Sequence, residues 1–164
     1  MPLHTVSFLV ENKPGVLFKV SNLFRRRGYN IQGITVGTVE GTPLSRMTVT
    51  VEADGKILNQ IVEQLDKMVD VVKVKRLDPT HTVSRELLLI KLKTSDPLSR
   101  MEAVNTVNAY HGLILDVEPG ILIAEVTGPP EEIDEFLLKI KPIGIEEMSR
   151  TGATALERGI LKLS

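Results

Sequence analysis

The 164-residue chain contains no cysteine. That excludes disulfides, thiolate zinc sites and cysteine nucleophiles together. Aromatic residues are only 4% of the chain, and the segment Leu44–Glu52 has none. RNA-recognition domains stack bases on central-strand aromatics, so that use of a sheet is excluded. No apolar run approaches the ~20 residues that cross a bilayer; Leu87–Ile90 is closed by Lys91. Met1–Val10 reads as a strand, followed at once by Glu11 and Lys13, which is not a secretory pattern. A cytoplasmic location is the expectation. The formal net charge is −1, so no global field recruits nucleic acid or an anionic membrane. His4, His81 and His111 are scattered without ligand spacing. Glu131-Glu132 and Glu146-Glu147 are adjacent in sequence and cannot face one reacting centre. GxSxG, Walker and GxGxxG patterns are missing. Neither a metal site nor a catalytic constellation is expected. A small ferredoxin-like enzyme stays open as an alternative, and turnover without a partner would reveal it.

Apolar residues are 42% and charged residues 25%, ordinary for a globular chain. Their spacing is informative. His4–Val10 alternates as a strand. After Glu11-Asn12-Lys13-Pro14-Gly15, the apolar positions Val16, Leu17, Val20, Leu23 and Phe24 recur at helical spacing to about Arg27. Pro14 is expected in the first helical turn, where its missing donor costs nothing, and Gly28 is the stop. Strands are predicted over Asn30–Val39 and Leu44–Glu52, a helix carrying Ile57, Leu58, Ile61, Val62 and Leu65, and a strand over Val71–Leu77. The order β-α-β-β-α-β is a split βαβ, or ferredoxin-like, unit. It then repeats in pattern without repeating in sequence. Glu86–Lys93 is a strand, Asp96-Pro97 opens a helix to about Tyr110, and Gly112 is a stop. Leu113–Glu118 and Ile121–Thr127 form a hairpin about Pro119-Gly120. Pro130–Ile140 is a helix and Ile143–Met148 a strand. The expected class is α+β, two ferredoxin-like βαββαβ domains in tandem. Boundaries fall at 1–78, a linker at 79–84, a second domain at 85–149, and a C-terminal tail at 150–164 to which the pattern assigns no structure.

In this topology the strand order is 4-1-3-2, so the second and fourth strands are edges. The fourth carries Lys73, Lys75 and Arg76, the usual protection against edge pairing. The second carries no charge from Gly28 through Val39. An uncharged β-branched edge invites a second copy, giving a two-fold dimer through Asn30–Val39; alternatively, the second half of the chain covers it.

One constellation carries ligand chemistry. Free N–H groups at a helix N-terminus bind carboxylates. The segment Asn12–Gly15 precedes such a terminus, and Gly15 lets a ligand approach the backbone. Asn30 opens the uncharged edge, and in a dimer it could face the Asn12–Gly15 loop of the partner. Amide and N–H groups beside small apolar side chains suit a free α-amino acid. The same residues are also an ordinary Asn-x-Pro-Gly turn, with Asn12 as a helix cap. The Arg25-Arg26-Arg27 cluster at the helix C-terminus reads as a solvated end that complements the macrodipole.

The combined strings Arg27-Gly28-Tyr29-Asn30-Ile31 and Leu44-Ser45-Arg46-Met47-Thr48 are specific, whereas the Asn12-x-x-Gly15 turn within Glu11-Asn12-x-x-Gly15-Val16-Leu17 is by itself widely shared. With Ile34-Thr35-Val36, Leu65-x-Lys67-x-Val69-Asp70-Val71, Arg85-Glu86-Leu87 and Gly152…Leu156-x-Arg158-Gly159, they span nearly the whole chain. Together they resemble the small, regulatory subunits of acetolactate synthase (acetohydroxyacid synthase). The resemblance implies an N-terminal ACT domain, an amino-acid sensor, and no catalytic activity in this chain. It implies binding to the catalytic (large) subunit, its activation, and feedback inhibition by valine in branched-chain amino-acid biosynthesis. No cofactor is implied on this chain; thiamine diphosphate, Mg and FAD are implied on the catalytic subunit. Asn12, Gly15 and Val16 match the loop side of the effector site, and Asn30 and Ile31 the strand side from the partner chain. Gly33 stands where a serine is more usual. An ACT-type sensor serving another metabolic enzyme is the alternative. If the edge pairs two copies, Ile34→Lys is expected to halve the sedimenting mass; an unchanged oligomer would oppose the pairing.

Overall fold

A computed structural model of the chain describes residues 1–163. The chain divides into two compact units, Met1–Val83 joined by the segment from Gly152 onward, and Ser84–Thr151. The first unit contains β1 (Leu3–Glu11), α1 (Val16–Arg27), β2 (Ile31–Thr38), β3 (Leu44–Glu52), α2 (Gly55–Asp66) and β4 (Val71–Leu77). Its sheet order is β2-β3-β1-β4, so β2 and β4 are the edges, as the topology requires. Val6, Phe8 and Val10 of β1 and Met47, Val49 and Val51 of β3 are buried on one face. They pack with Val20 and Phe24 of α1 and Leu58, Ile61 and Leu65 of α2. The period of two in the strands and of nearly four in the helices makes these residues meet. α1 ends where Gly28 enters the left-handed region at φ 68°. It begins at Val16, one residue after Gly15, so Pro14 lies outside the first helical turn rather than within it.

The second unit contains β5 (Thr82–Thr94), α3 (Pro97–Ala109), β6 (Leu113–Glu118), β7 (Gly120–Gly128), α4 (Pro130–Ile140) and β8 (Ile145–Arg150). Its strands run β6-β7-β5-β8, the same order. Leu88, Ile90 and Leu92 of β5 and Leu122, Ala124 and Val126 of β7 face α3 and α4, with Phe136 fully buried among them. The two units thus give an α+β chain of tandem βαββαβ folds. Three local expectations shift. Pro79–His81 is a short 3-10 turn closed by the Asp78 carboxylate, and β5 starts at Thr82, within the stretch expected to link the halves. α3 ends at Ala109 with Tyr110 as its C-cap, close to the expected end, but His111 rather than Gly112 takes the left-handed conformation, at φ 56°. A second 3-10 turn over Lys141–Ile143 pushes the last strand to Ile145–Arg150. No described helix is long and apolar enough to cross a membrane.

The tail left without structure by the sequence pattern is ordered on the first unit. Thr35, Thr48, Ser7 and Lys75 are register partners in one row across all four strands, on the face away from the helices. The chain from Gly152 to Glu157, which includes β9 (Thr154–Glu157), crosses this face. Thr35 Oγ1 donates to Ala153 O at 2.9 Å. Arg46 Nη2 donates to Ala155 O at 2.8 Å. Lys75 Nζ lies 2.8 Å from Glu157 Oε1. Ala153, Ala155 and Glu157 therefore face the sheet while Leu156 is exposed, the alternation of a strand. The polar row is dry: Ser7 and Thr48 are buried and their hydroxyls lie 3.2 Å apart. Burial holds the Arg46 guanidinium below its usual range, an effect opposed by Glu157. Gly152 makes the seat possible. A Cβ there would stand 2.8 Å from Ile34 N, and the backbone could not yield cheaply. Gly33, the departure from the family pattern, faces the same spot: its Cβ would meet Gly152 Cα at 3.4 Å. Gly152→Val is expected to lower the unfolding free energy in urea by about 1–3 kcal/mol through overpacking. The control Gly55→Ala, at the open start of α2, should be neutral or slightly stabilising. Equal stability of the Gly152 variant and wild type would show that the tail does not hold this seat.

Candidate functional site

The β1–α1 connection is built by two backbone anchors and one left-handed residue. Asn12 N–H donates to Pro43 O at 3.0 Å, and Glu11 N–H donates to Asp70 O at 2.9 Å. Gly15 adopts φ 85° and ψ −7°, a conformation costly for any residue with a Cβ. It turns the chain into α1 without offering a side chain to the helix. Asn12 does not cap α1 either; no side chain does. Among the described residues, the N–H groups of Leu17 and Phe18 have no intramolecular acceptor. The other helices are treated differently. Asp54 caps α2, Asp96 caps α3, and Glu131 and Glu132 occupy the first turn of α4. Of the described α-helices, α1 alone has neither a capping side chain nor an acid in its first turn. Its positive end is open to a ligand anion.

Asn12 and Gly15 are exposed, whereas Val16 is buried in the hydrophobic core of the unit. Lys13 pairs with Glu11, which raises the Lys13 pKa above its usual value. A second ion pair supports the turn from below: Lys19 Nζ donates to Asp70 Oδ2 at 2.9 Å, and Asp70 is buried. Sequence reasoning missed this pair, because its members lie 51 positions apart and no pattern joins Lys19 to the string that contains Asp70. Asp70 thus holds the turn by its carbonyl, to Glu11, and by its carboxylate, to α1.

Asn30 and Ile31 are not at this place within one chain. Ile31 pairs with Val51 and Leu3 with Glu52, at one end of the sheet. Glu11 pairs with Leu44 at the other end. Twelve helical residues of α1 separate the two groups, or about 18 Å along the axis. The structure therefore groups Asn12, Gly15 and Val16, and sets Asn30 and Ile31 apart from them. Asn30 precedes β2 rather than opening it, and it is exposed. No group of three or more His, Asp or Glu residues among the described residues is arranged to hold a metal ion.

Comparison with known proteins fits both units. The family model of the acetolactate synthase (AHAS) small subunit-like ACT domain matches residues 6–73. The model described as the small subunit of acetolactate synthase matches residues 85–159. The probable acetolactate synthase small subunit of Methanothermobacter thermautotrophicus is 47% identical over 156 residues, 95% of this chain and 93% of its own. The chain belongs to the acetolactate synthase small-subunit family. The small subunit of Mycolicibacterium smegmatis is 42% identical, over 96% of this chain and 92% of its own. The crystal structure of the acetolactate synthase small subunit of Thermotoga maritima superposes with a TM-score of 0.88 at 40% identity, covering 98% of this chain and 100% of that one.

In family terms the first unit is the ACT domain, and its β1–α1 turn is the sequence-predicted loop side. The turn's openness can be separated from its role in folding. Gly15→Asp places a carboxylate beside the free N–H groups but must hold it at positive φ. The two effects oppose, and urea unfolding is expected to show a loss of no more than about 2 kcal/mol. Loss of cooperative unfolding would mean that Gly15 serves the fold rather than a ligand.

Proposed function

We propose that this chain is the regulatory subunit that activates the acetolactate synthase catalytic subunit and makes it sensitive to valine. The observation that carries the reading is the α1 N-terminus, uncapped and fronted by a left-handed glycine. It offers two unpaired N–H groups to a carboxylate, the group every free amino acid carries. Asn12 is exposed beside it, and its amide oxygen can accept from an ammonium group. Val16 supplies apolar contact.

The strand side of the site comes from a second copy. β2 is an uncharged edge, with Val36 50% exposed. If two β2 strands pair antiparallel about a two-fold axis between Ile34 and Thr35, residue 31 of one chain lies beside residue 38 of the other. Thr38 pairs with Ser45, at the same end of the sheet as the Asn12 turn. The two-fold operation thus brings the partner's Asn30 and Ile31 to the loop that α1 keeps from its own Asn30. Two equivalent valine sites form, each needing both chains. Valine then acts by binding one arrangement of the dimer better than another, since only differential affinity shifts a population. Coupling of this kind is commonly ~1–3 kcal/mol. Chemistry resides on the thiamine-diphosphate catalytic subunit, and a cytoplasmic location suits a partner of a biosynthetic enzyme.

The test is reconstitution with the catalytic subunit, reading acetolactate formation against valine. Asn12→Ala and Gly15→Asp are expected to raise the half-inhibiting valine concentration at least tenfold while activation is retained. Ile34 packs on the core, so Val36→Lys is the cleaner probe of the edge; it should halve the sedimenting mass and abolish valine inhibition together. Wild-type valine sensitivity in Gly15→Asp would refute the site.

A further inference from the structure

The second unit has a hollow at the place that corresponds to the ACT turn, after its first strand and before its first helix. It measures about 500 Å³, within the range of small-molecule pockets, and is open on one side. Thr94 at the end of β5 and Asp96, Arg100, Met101, Val104 and Asn105 of the α3 segment line it. Gly120, the first residue of β7, also lines it, at φ 79°.

Three features of this hollow are unexplained by the fold alone. The first is a pair of opposite charges that do not neutralise each other. Asp96, the N-cap of α3, and Arg100, in its first turn, both line the hollow, yet they form no ion pair among the described residues. Arg100 Nη2 is turned instead to Glu118 O at 3.1 Å, which fixes the guanidinium and leaves its other donors available. Hydrogen bonds from Ser99 hold the Asp96 carboxyl below the usual carboxylate range, so it is an anion at neutral pH. Ser99 N–H, at 2.9 Å, takes one of its several acceptor positions. The second feature is Thr94. It is only 2% exposed, it lines the hollow, and its Oγ1 has no partner. Buried hydroxyls are normally bonded, and an orphan at the floor of a hollow is what a ligand or its bridging water would satisfy. The third is that Met101 and Val104 line the hollow between these polar groups with aliphatic surface.

We propose that this hollow is a second small-molecule site, for a free α-amino acid with an aliphatic side chain. A cation and an anion side by side repel a simple cation and a simple anion respectively. A zwitterion satisfies both, its carboxylate on Arg100 and its ammonium on Asp96, with the side chain along Met101 and Val104. The site lies wholly within the second unit and needs no partner chain. It therefore does not rest on the valine reading of the ACT domain.

The experiment uses the full chain carrying Gly15→Asp, which silences the first site, labelled with nitrogen-15. Leucine is titrated through the millimolar range while the amide signals of Thr94, Asn105 and Gly120 are followed. Leucinamide, which lacks the negative charge, and 4-methylpentanoate, which lacks the positive one, are titrated in parallel. Saturable shifts confined to this hollow with leucine, and at least tenfold weaker binding of both analogues, are the expected result. Arg100→Ala should weaken leucine about tenfold, the loss of a charge-assisted hydrogen bond. Thr94→Val should weaken it and Thr94→Ser restore it, with the rest of the spectrum unchanged. No saturable shift with leucine, equal binding of either analogue, or insensitivity to Arg100→Ala would overturn the proposal. The same titration of the wild-type chain reports the first site separately, through Asn12 and Gly15 signals, so failure of one reading is distinguishable from failure of the other.

Discussion

The length of α1 is the constraint from which the regulatory reading follows. Twelve residues of helix lie between Gly15 and Gly28, and no local rearrangement of a packed helix shortens that path. Val16, Val20 and Phe24 are buried along it, so the helix cannot slide without emptying the core. The loop and strand residues that match the family's effector site therefore stay at opposite ends of one domain. A single ACT domain offers a carboxylate-binding turn at one end and a neutral edge at the other. In the proposed dimer, a two-fold partner would complete a site from them. Binding and assembly would then be one event, which is the physical condition for an amino acid to report through a change in subunit arrangement.

The turn at the start of α1 forgoes a stabilisation that the α2 and α3 starts take, and in the proposed site a ligand would supply it. A side-chain cap is worth about 0.5–2 kcal/mol, and α2 and α3 both take it from an aspartate. α1 takes none. Its turn is held instead from beneath, by the buried Asp70 through Glu11 N–H and Lys19 Nζ. That support fixes the geometry while leaving the N–H groups facing outward. Preorganisation of this kind lowers the ordering cost of binding a small ligand.

Much of the fold was legible because its two periods are clean. The alternation of Val6, Phe8 and Val10, and of Met47, Val49 and Val51, marked the core face of each strand. The charge-free run from Gly28 to Val39 marked the edge. What was not legible depended on distance along the chain. The Gly152–Glu157 tail has too short an alternation to read as a strand. Its seat is set by Thr35, Arg46 and Lys75, whose partners lie roughly eighty to one hundred and twenty positions away. The Lys19–Asp70 pair was hidden for the same reason. Pro14 misled because a proline before a helix also fits a left-handed glycine that delays the first turn by two residues. Of the candidate site, the loop side was readable from Asn12-x-x-Gly15. The absence of a cap was not, since Asn12 is chemically able to be one.

The tail and the open turn together bear on what such a site can select. The tail closes the polar face of the ACT sheet, so Ser7 and Thr48 satisfy each other and are withdrawn from solvent. In the proposed effector site the groups left for a ligand would be the α1 N-terminus, the Asn12 amide and aliphatic residues such as Val16 and Ile31. Backbone and amide groups recognise the ends that all amino acids share. Aliphatic residues recognise the side chain, and there a methylene is worth only ~1–3 kcal/mol. Valine, leucine and isoleucine are thus separated by shape alone, in modest steps. A serine or threonine hydroxyl would lose its water without gaining a partner among these aliphatic side chains, a penalty of ~1–3 kcal/mol of its own. In the proposed site, rejection of a hydroxyl-bearing side chain and discrimination by one methylene would therefore be of similar size, and selection for branched aliphatic amino acids would come from both acting together.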